Sequence, residues 1–354
     1  MSNEVNQMNK EKVWDFWQRM NHVEPDGVAD LIRSTFHEDV DWNASHPINQ
    51  LQGVETLITD FYQPLLQSFP DLRRDPYVFM GGECDGEYWV SATGYLTGTF
   101  VEDWLGIPAT NDKTNIWFGQ FLVMEEGKIA ESYAVLDLLG VIRQAGFQVL
   151  PPARGAEGGK VPAPLTGDGI LLTEQGELES DKTLQLVNAM LAGLRRYVRS
   201  RDLGDMSSME QEHYWSQDMH WYGPSGIGAC FTLEEFEDFH QRTWLHAFGD
   251  RNRSGGGRMM GFVGEGNYAC GGIWDGLFSK HHGEFRGIPA TGKLMTMRDF
   301  DWWRREGDLL VQNWVPIDLG DLCMQMGVDL FERLLRQVEQ GKRGNLWYDP
   351  PAES

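Results

Sequence analysis

Apolar residues recur at helical spacing from Val5 to Met20, where Val13, Trp14, Phe16, Trp17 and Met20 form one stripe. Val28, Leu31, Ile32 and Phe36 predict a second helix, and a short strand follows around Val40. Leu57, Phe61, Leu65 and Phe69 predict a third helix over Gly53–Phe69, stopped by Pro70, which cannot donate a backbone hydrogen bond. The pattern then changes to strand-like runs at Tyr77–Met80 and Tyr88–Phe100. A hairpin of Asn115–Met124 and Lys128–Leu138 closes at Glu126-Gly127. The same order returns later in the chain. Helices are expected over Thr183–Arg199, near Met206–Tyr214 and over Leu233–Phe248. Strands are expected over Arg258–Val263, Tyr268–Phe278, Leu294–Arg304 and Leu309–Ile317, with a turn at Glu306-Gly307. Helices ahead of long antiparallel strands predict an α+β fold rather than a doubly wound sheet. The order fits a curved antiparallel sheet wrapped around helices, a cone whose interior is the default ligand site.

The recurrence is an internal repeat. Gly106-Ile107-Pro108-Ala109-Thr110 returns as Gly287-Ile288-Pro289-Ala290-Thr291, 181 positions on (287 − 106). The same offset carries Glu125 to Glu306, Tyr133 to Trp314, Asp137 to Asp318 and Gln144 to Gln325. Upstream the offset drifts to 179, as from Trp42 to Trp221, which is what loop insertions do to duplicated domains. Between the copies, Leu150 to Leu165 is too rich in Pro and Gly for a helix or central strand. The chain therefore divides into copy one (1–150), a linker (151–180) and copy two (181–345).

Composition narrows the partners. With 30 Lys+Arg against 53 Asp+Glu, the formal charge of −23 would repel phosphate backbones and anionic lipid, so neither nucleic acid nor a membrane surface is expected. No apolar run approaches a membrane span, and the start of the chain lacks the apolar core of a signal peptide, so a cytoplasmic protein is expected. The four cysteines, Cys84, Cys230, Cys270 and Cys323, form no Cys-x-x-Cys pair and read as buried thiols. His281-His282 shows no third ligand, so no metal is expected.

An ordered set of short motifs carries a family resemblance. Copy one has His46-Pro47, Gly53, Phe69-Pro70-Asp71-Leu72, Gly98-Thr99-Phe100, the Gly106–Thr110 segment, Gly127-Lys128, Tyr133 four residues before Asp137, and Gln144-Ala145-Gly146. Copy two has Phe248-Gly249-Asp250, Gly276-Leu277-Phe278, Gly287 to Lys293, Trp302-Trp303-Arg304, Trp314 four residues before Asp318, and Gln325-Met326-Gly327. Both copies resemble the SnoaL-like polyketide cyclases of the nuclear-transport-factor-2-like, or cystatin-like, superfold. The resemblance implies two cones paired through their sheets as a pseudo-dimer within one chain, with further homodimerisation left open. It also implies a cofactor-free aldol-type ring closure, or related isomerase or lyase chemistry, on a small hydrophobic or aromatic carbonyl compound. Copy two lacks an evident His-Pro, and copy one has Val123 where copy two has Arg304. A non-catalytic binding or scaffold protein with a degenerate site is therefore the rival expectation.

Asp137 and Asp318 are the leading acid–base candidates. Each ends an apolar strand, and apolar surroundings raise a carboxyl pKa toward working pH. Each could equally cap the helix that follows. His46 could polarise a carbonyl or shuttle a proton, or merely brace its loop. Trp42, Trp117, Tyr133, Trp221, Tyr222, Trp302 and Trp314 are candidate walls for a flat ligand, with ordinary core and inter-copy packing as the other reading. Arg298 and Arg304, six apart on one strand, could bind a carboxylate or enolate, or pair with the abundant acids. The Gly-Ile-Pro-Ala-Thr segments read as turns, because glycine tolerates tight backbone and proline fixes φ.

Overall fold

The computed structural model describes residues 2–197, 206–249 and 255–341. The expected helix end at Arg199, the motif residue Asp250 and the end of copy two beyond 341 lie outside the described residues. The fold is α+β and consists of two six-stranded sheets in one chain, each with its own helices.

In the first unit, helices α1 (Ser2–Met20) and α2 (Val28–Thr35) lead into β1 (Phe36–Ala44) and the short β2 (Gln50–Gln52). The third helix, α3, has α segments at Val54–Thr56 and Gln63–Ser68 with a π segment, Leu57–Tyr62, between them. Strands β3 (Arg73–Cys84), β4 (Glu87–Thr99), β5 (Lys113–Glu125) and β6 (Lys128–Leu136) follow, then the short α4 (Leu138–Gln144). The sheet order is β2-β1-β6-β5-β4-β3. Pairing is antiparallel except between β1 and β6, which run parallel, so the sheet is mixed. The second unit repeats this with α5 (Glu177–Arg195), β7 (Trp215–Tyr222), β8 (Ala229–Cys230) and the helix α6 (Leu233–Glu235, π segment Phe236–Gln241, Arg242–Phe248). Then come β9 (Arg258–Glu265), β10 (Tyr268–Lys280), β11 (Leu294–Glu306), β12 (Leu309–Trp314), α7 (Leu319–Gln325) and α8 (Leu330–Glu339), with sheet order β8-β7-β12-β11-β10-β9.

One expected helix does not form. Residues 206–214 make two single 3₁₀ turns, Ser207–Met209 and Gln211–His213, broken where Glu210 takes φ 50°. The identical Gly-Ile-Pro-Ala-Thr segments make identical turns: Gly106 and Gly287 have φ 76° and 80°, and bridges Trp104–Ile107 and Phe285–Ile288 close each one.

Each sheet has two buried faces. The inner face wraps its helices, while the outer face packs against the other sheet. Phe121 meets Phe300 and Trp302 at centroid distances of 4.9 and 5.2 Å, and Tyr133 meets Trp274 at 5.6 Å. The sheets approach so closely at Gly119 that a Cβ there would lie 2.6 Å from Pro316 Cγ and 2.9 Å from a Trp302 ring carbon. A buried ion pair, Lys10 with Glu265, also crosses between the units, and Glu265 Oε2 accepts the Gly81 amide at 2.9 Å. Burial at such a point requires that both charges be paired, which they are. Among the described residues no helix is long and apolar enough to cross a membrane.

Candidate functional site

The helix-capping alternative holds for both leading aspartates. Asp137 Oδ1 accepts the Gly140 amide at 2.9 Å, and Asp318 Oδ1 accepts that of Asp321 at 3.1 Å, so each caps the helix after its strand. The second oxygen reaches across to the other unit. Asp137 Oδ2 accepts the Ser225 amide at 3.1 Å and its hydroxyl at 2.8 Å, and Asp318 Oδ2 accepts the His46 amide at 2.9 Å. Ser225 and His46 are repeat-related (225 − 46 = 179), so the two bonds are reciprocal across the pseudo-two-fold axis. Burial pushes both carboxyls up, Asp318 to about 6, against the pull of these donors. The N–H groups fill the lone pairs that a general base would offer. His46 contributes its backbone here, and its ring sits edge-on to Phe331 at 5.8 Å with its pKa lowered by burial.

The aromatic candidates separate by sheet face. Tyr133, Trp302 and Trp314 lie on outer faces within the packing between the sheets, with Trp302 Nε1 donating to Ser91 Oγ at 3.1 Å. Trp117 and Tyr222 also face outward, at the edge of that packing. Only Trp42 and Trp221 point into the cones. Arg298 is engaged by Asp275 at 2.6 Å, Asp318 at 3.4 Å and Asp321 at 3.8 Å, over the Trp274 ring at 4.7 Å. Arg304 is buried against Glu306, Asp168 and Gln312. The ion-pair reading therefore describes both arginines. His281 ties its turn together through Thr291, 3.1 Å from Nδ1 to Oγ1. Among the described residues no cluster of three or more His, Cys, Asp or Glu side chains could hold a metal ion.

What the sequence reading passed over lies inside the second cone. Successive residues of β11 alternate in direction. Arg298, Phe300 and Trp302 face the first sheet, so Asp299, Asp301 and Trp303 face inward. Asn313 of the adjacent β12 donates to Asp301 Oδ1 at 3.0 Å. Asp299 Oδ1 is buried with no hydrogen-bond partner. Burial pushes both carboxyls up, and the neighbouring Asp301 charge pushes Asp299 well above the usual carboxylate range. The two residues are only partly buried by area, so they border space that water-sized molecules can enter. The same unit holds an aromatic stack: His240, on the π segment of α6, lies on Trp221 at 4.0 Å between centroids and 24° between planes.

The first cone is filled at the same place. The 181 offset sets Phe118 and Gln120 where copy two has Asp299 and Asp301 (299 − 118, 301 − 120), and the 179 offset sets Phe61 against His240 (240 − 61). Arg74 occupies the interior, with its guanidinium 4.6 Å from the Trp17 ring and 4.4 Å from the Phe118 ring. It donates to Gln120 Oε1 at 2.9 Å. Burial lowers this arginine to about 10. The departure of β11 from the repeat was the available signal: two acids at alternate positions where copy one has Phe and Gln.

A family model described as SnoaL-like polyketide cyclase matches residues 12–145. The first unit is SnoaL-like. The match ends before the second unit, which repeats the SnoaL-like element order strand for strand. No curated protein matches the chain. Solved structures similar to part of it include a SnoaL-like polyketide cyclase candidate from Jannaschia sp. CCS1, 22% identical over 38% of this chain and 89% of its own, with a TM-score of 0.33. IdmH, a polyketide cyclase candidate from Streptomyces antibioticus, is 15% identical over 39% and 98%, also at 0.33. AclR, a hydroxylase candidate from Streptomyces galilaeus, is 17% identical over 39% and 80%, at 0.33.

Proposed function

We propose that the second SnoaL-like unit is the catalytic one and that it moves protons on a small hydrophobic or polyketide-like carbonyl compound held in its cone. The observation that carries this is the pair Asp299 and Asp301, inside an aromatic cone, with one carboxyl oxygen unpartnered. Two neighbouring carboxyls in a poorly solvated site do not both ionise easily, so one of the pair keeps its proton. Asn313 stabilises the anion on Asp301, which makes Asp301 the base and Asp299 the proton-bearing acid. Asp301 removes a proton from the carbon beside a carbonyl, and Asp299 donates a hydrogen bond to the carbonyl oxygen as enolate charge develops. Attack of the enolate carbon on a second carbonyl of the same molecule closes the ring, and its oxygen takes up a proton from the acid. Isomerisation and dehydration use the same two groups.

Solvent deuterium entering the acidic carbon of a linear poly-β-carbonyl ester reports the first step without knowledge of the natural substrate. The reading expects protein-dependent exchange that Asp301→Asn abolishes and a cyclised product from a substrate of fitting length. Exchange at the uncatalysed rate across a set of such esters, with saturable binding retained, would favour a non-catalytic binding protein instead.

A further inference from the structure

A second ligand space lies outside both cones, between the units and beneath the linker. Its volume is about 440 Å³, within the range of about 300–1,000 Å³ usual for small-molecule sites. Tyr95 and Phe231 supply its aromatic surface, backed by the buried rings of Trp117 and Tyr222. The linker spans it as a strap fixed at both ends. Ala156 and Ala229 exchange backbone hydrogen bonds of 2.8 Å on one side. On the other, the Val161 amide donates to Tyr95 Oη at 2.6 Å and Trp314 Nε1 donates to Pro162 O at 2.9 Å. Between these anchors run the exposed residues Gly158, Gly159 and Lys160, with Gly158 at φ 91°, a conformation that favours glycine.

Pseudo-symmetry explains why the space is open on this side. The equivalents of Tyr95, Trp117 and Asp137 are Trp274 (274 − 95 = 179), Arg298 (298 − 117 = 181) and Asp318 (318 − 137 = 181). On that side the Arg298 guanidinium lies over Trp274 and pairs with Asp275 and Asp318. On the first side the indole of Trp117 turns to Thr93 Oγ1, 2.9 Å away, and brings no charge. The cation over the aromatic ring comes instead from the strap: Lys160 Nζ sits 5.1 Å from the Tyr95 ring centroid.

The charges set the ligand class. Both carboxylates at the cavity are already occupied. Asp137 accepts from Gly140 and Ser225, and Glu157 accepts from Ala153, Gly226 and Arg143. One of the cations is less engaged. Lys160 makes no ion pair among the described residues, whereas Arg143 is paired with Glu157. The spare hydrogen-bonding capacity is therefore in donors, and a ligand must bring the acceptors. We propose that this cavity binds a planar aromatic molecule bearing one acidic group, a carboxylate or phenolate. Its rings lie against Tyr95 and Phe231, its anion meets Lys160, and the Gly158-Gly159 strap admits it.

Anthracene-2-carboxylate is the probe, titrated into the full-length protein with ligand and tryptophan fluorescence as readouts. Saturable binding is expected, weakened about tenfold or more by Lys160→Ala, restored by Lys160→Arg, and unchanged by Asp301→Asn. The amine analogue, 2-aminomethylanthracene, should bind about tenfold more weakly than the carboxylate. Lys160 is exposed on the linker, so its variants should fold. Three results would each overturn the proposal: no saturation below about 1 mM, equal affinity for acid and amine, or binding lost in Asp301→Asn but kept in Lys160→Ala, which places the probe in the cone. Since the cone's proton chemistry is read separately by deuterium exchange, either idea can fail while the other stands.

Discussion

The two cones share one topology and differ in what fills them. In the first, Arg74 is sandwiched against Trp17 and Phe118 and donates to Gln120, so a cation held by aromatic rings takes the interior. In the second, the same strand positions carry Asp299 and Asp301, and a histidine stands where the first has Phe61. Buried carboxylates cost stability unless paired or hydrogen-bonded, and Asp299 Oδ1 is neither. Duplication lets one chain hold both arrangements: a cation among aromatic rings in one cone and two acids in the other. Lost function where a site is made more stable is the usual counterpart.

The largest expected effect separates the cones by rate. Asp301→Asn or Asp299→Asn should lower turnover by roughly 10²–10⁴, the usual contribution of general acid–base catalysis. Gln120→Asn at the matching place in the first cone should leave the rate within about twofold. Equal losses from both cones, measured on the deuterium-exchange assay, would end the division of labour. Next come the reciprocal clamps: Asp137→Ala or Asp318→Ala should each remove on the order of 1–3 kcal/mol in urea denaturation, from a lost cap and newly unpaired amides. A loss of catalysis with unchanged stability would instead return these aspartates to the chemistry.

A smaller effect follows from pH. The folded carboxyls of Asp299 and Asp301 hold protons more tightly than their unfolded values near about 3.9. Their stabilising contribution is therefore full below about pH 4 and is lost as pH rises through the folded values. Asp299→Asn should flatten this fall and add about 1 kcal/mol near neutrality, read from urea midpoints across pH. Smallest of all, Arg74→Met should change stability by less than about 1.5 kcal/mol or raise it, since it replaces an interior cation that no carboxylate pairs among the described residues.

Much of the fold was legible because its signals are local or repeated: helical stripes, the Glu126-Gly127 hairpin, and the Gly-Ile-Pro-Ala-Thr turns. The parallel pairing of β1 with β6 was not, since it joins residues about ninety positions apart with no turn to announce it. Nor were the two turns around Glu210, where the element order of the first copy predicted a helix and one residue with positive φ broke it. The site was harder for a physical reason. Residue alternation locates a core only when one face of a strand is polar. Here both faces of β5 are buried from Thr114 to Met124, apart from a partly exposed Asn115, so Trp117 and Phe118 looked alike though one faces the other unit and the other faces its own cone. Asp137 and Asp318 were rightly read as carboxyls among apolar neighbours, with capping kept open. Asp299 and Asp301 were passed over as two more acids in a chain rich in them.

The reciprocal clamps also impose an order on the chain's birth. Asp137 must wait for Ser225, 88 positions later, and the His46 amide must wait for Asp318, 272 positions later. At about 5–20 residues per second, that second interval lasts roughly a quarter of a minute to a minute. For the part of it that follows the making of β6, the outer face of the first sheet, with Phe121 and Tyr133 on it, has emerged without its partner. On a ribosome-crowded message, each nascent first unit is then a ready mate for the one ahead of it, and the linker's tether is what makes the chain's own second half the faster choice.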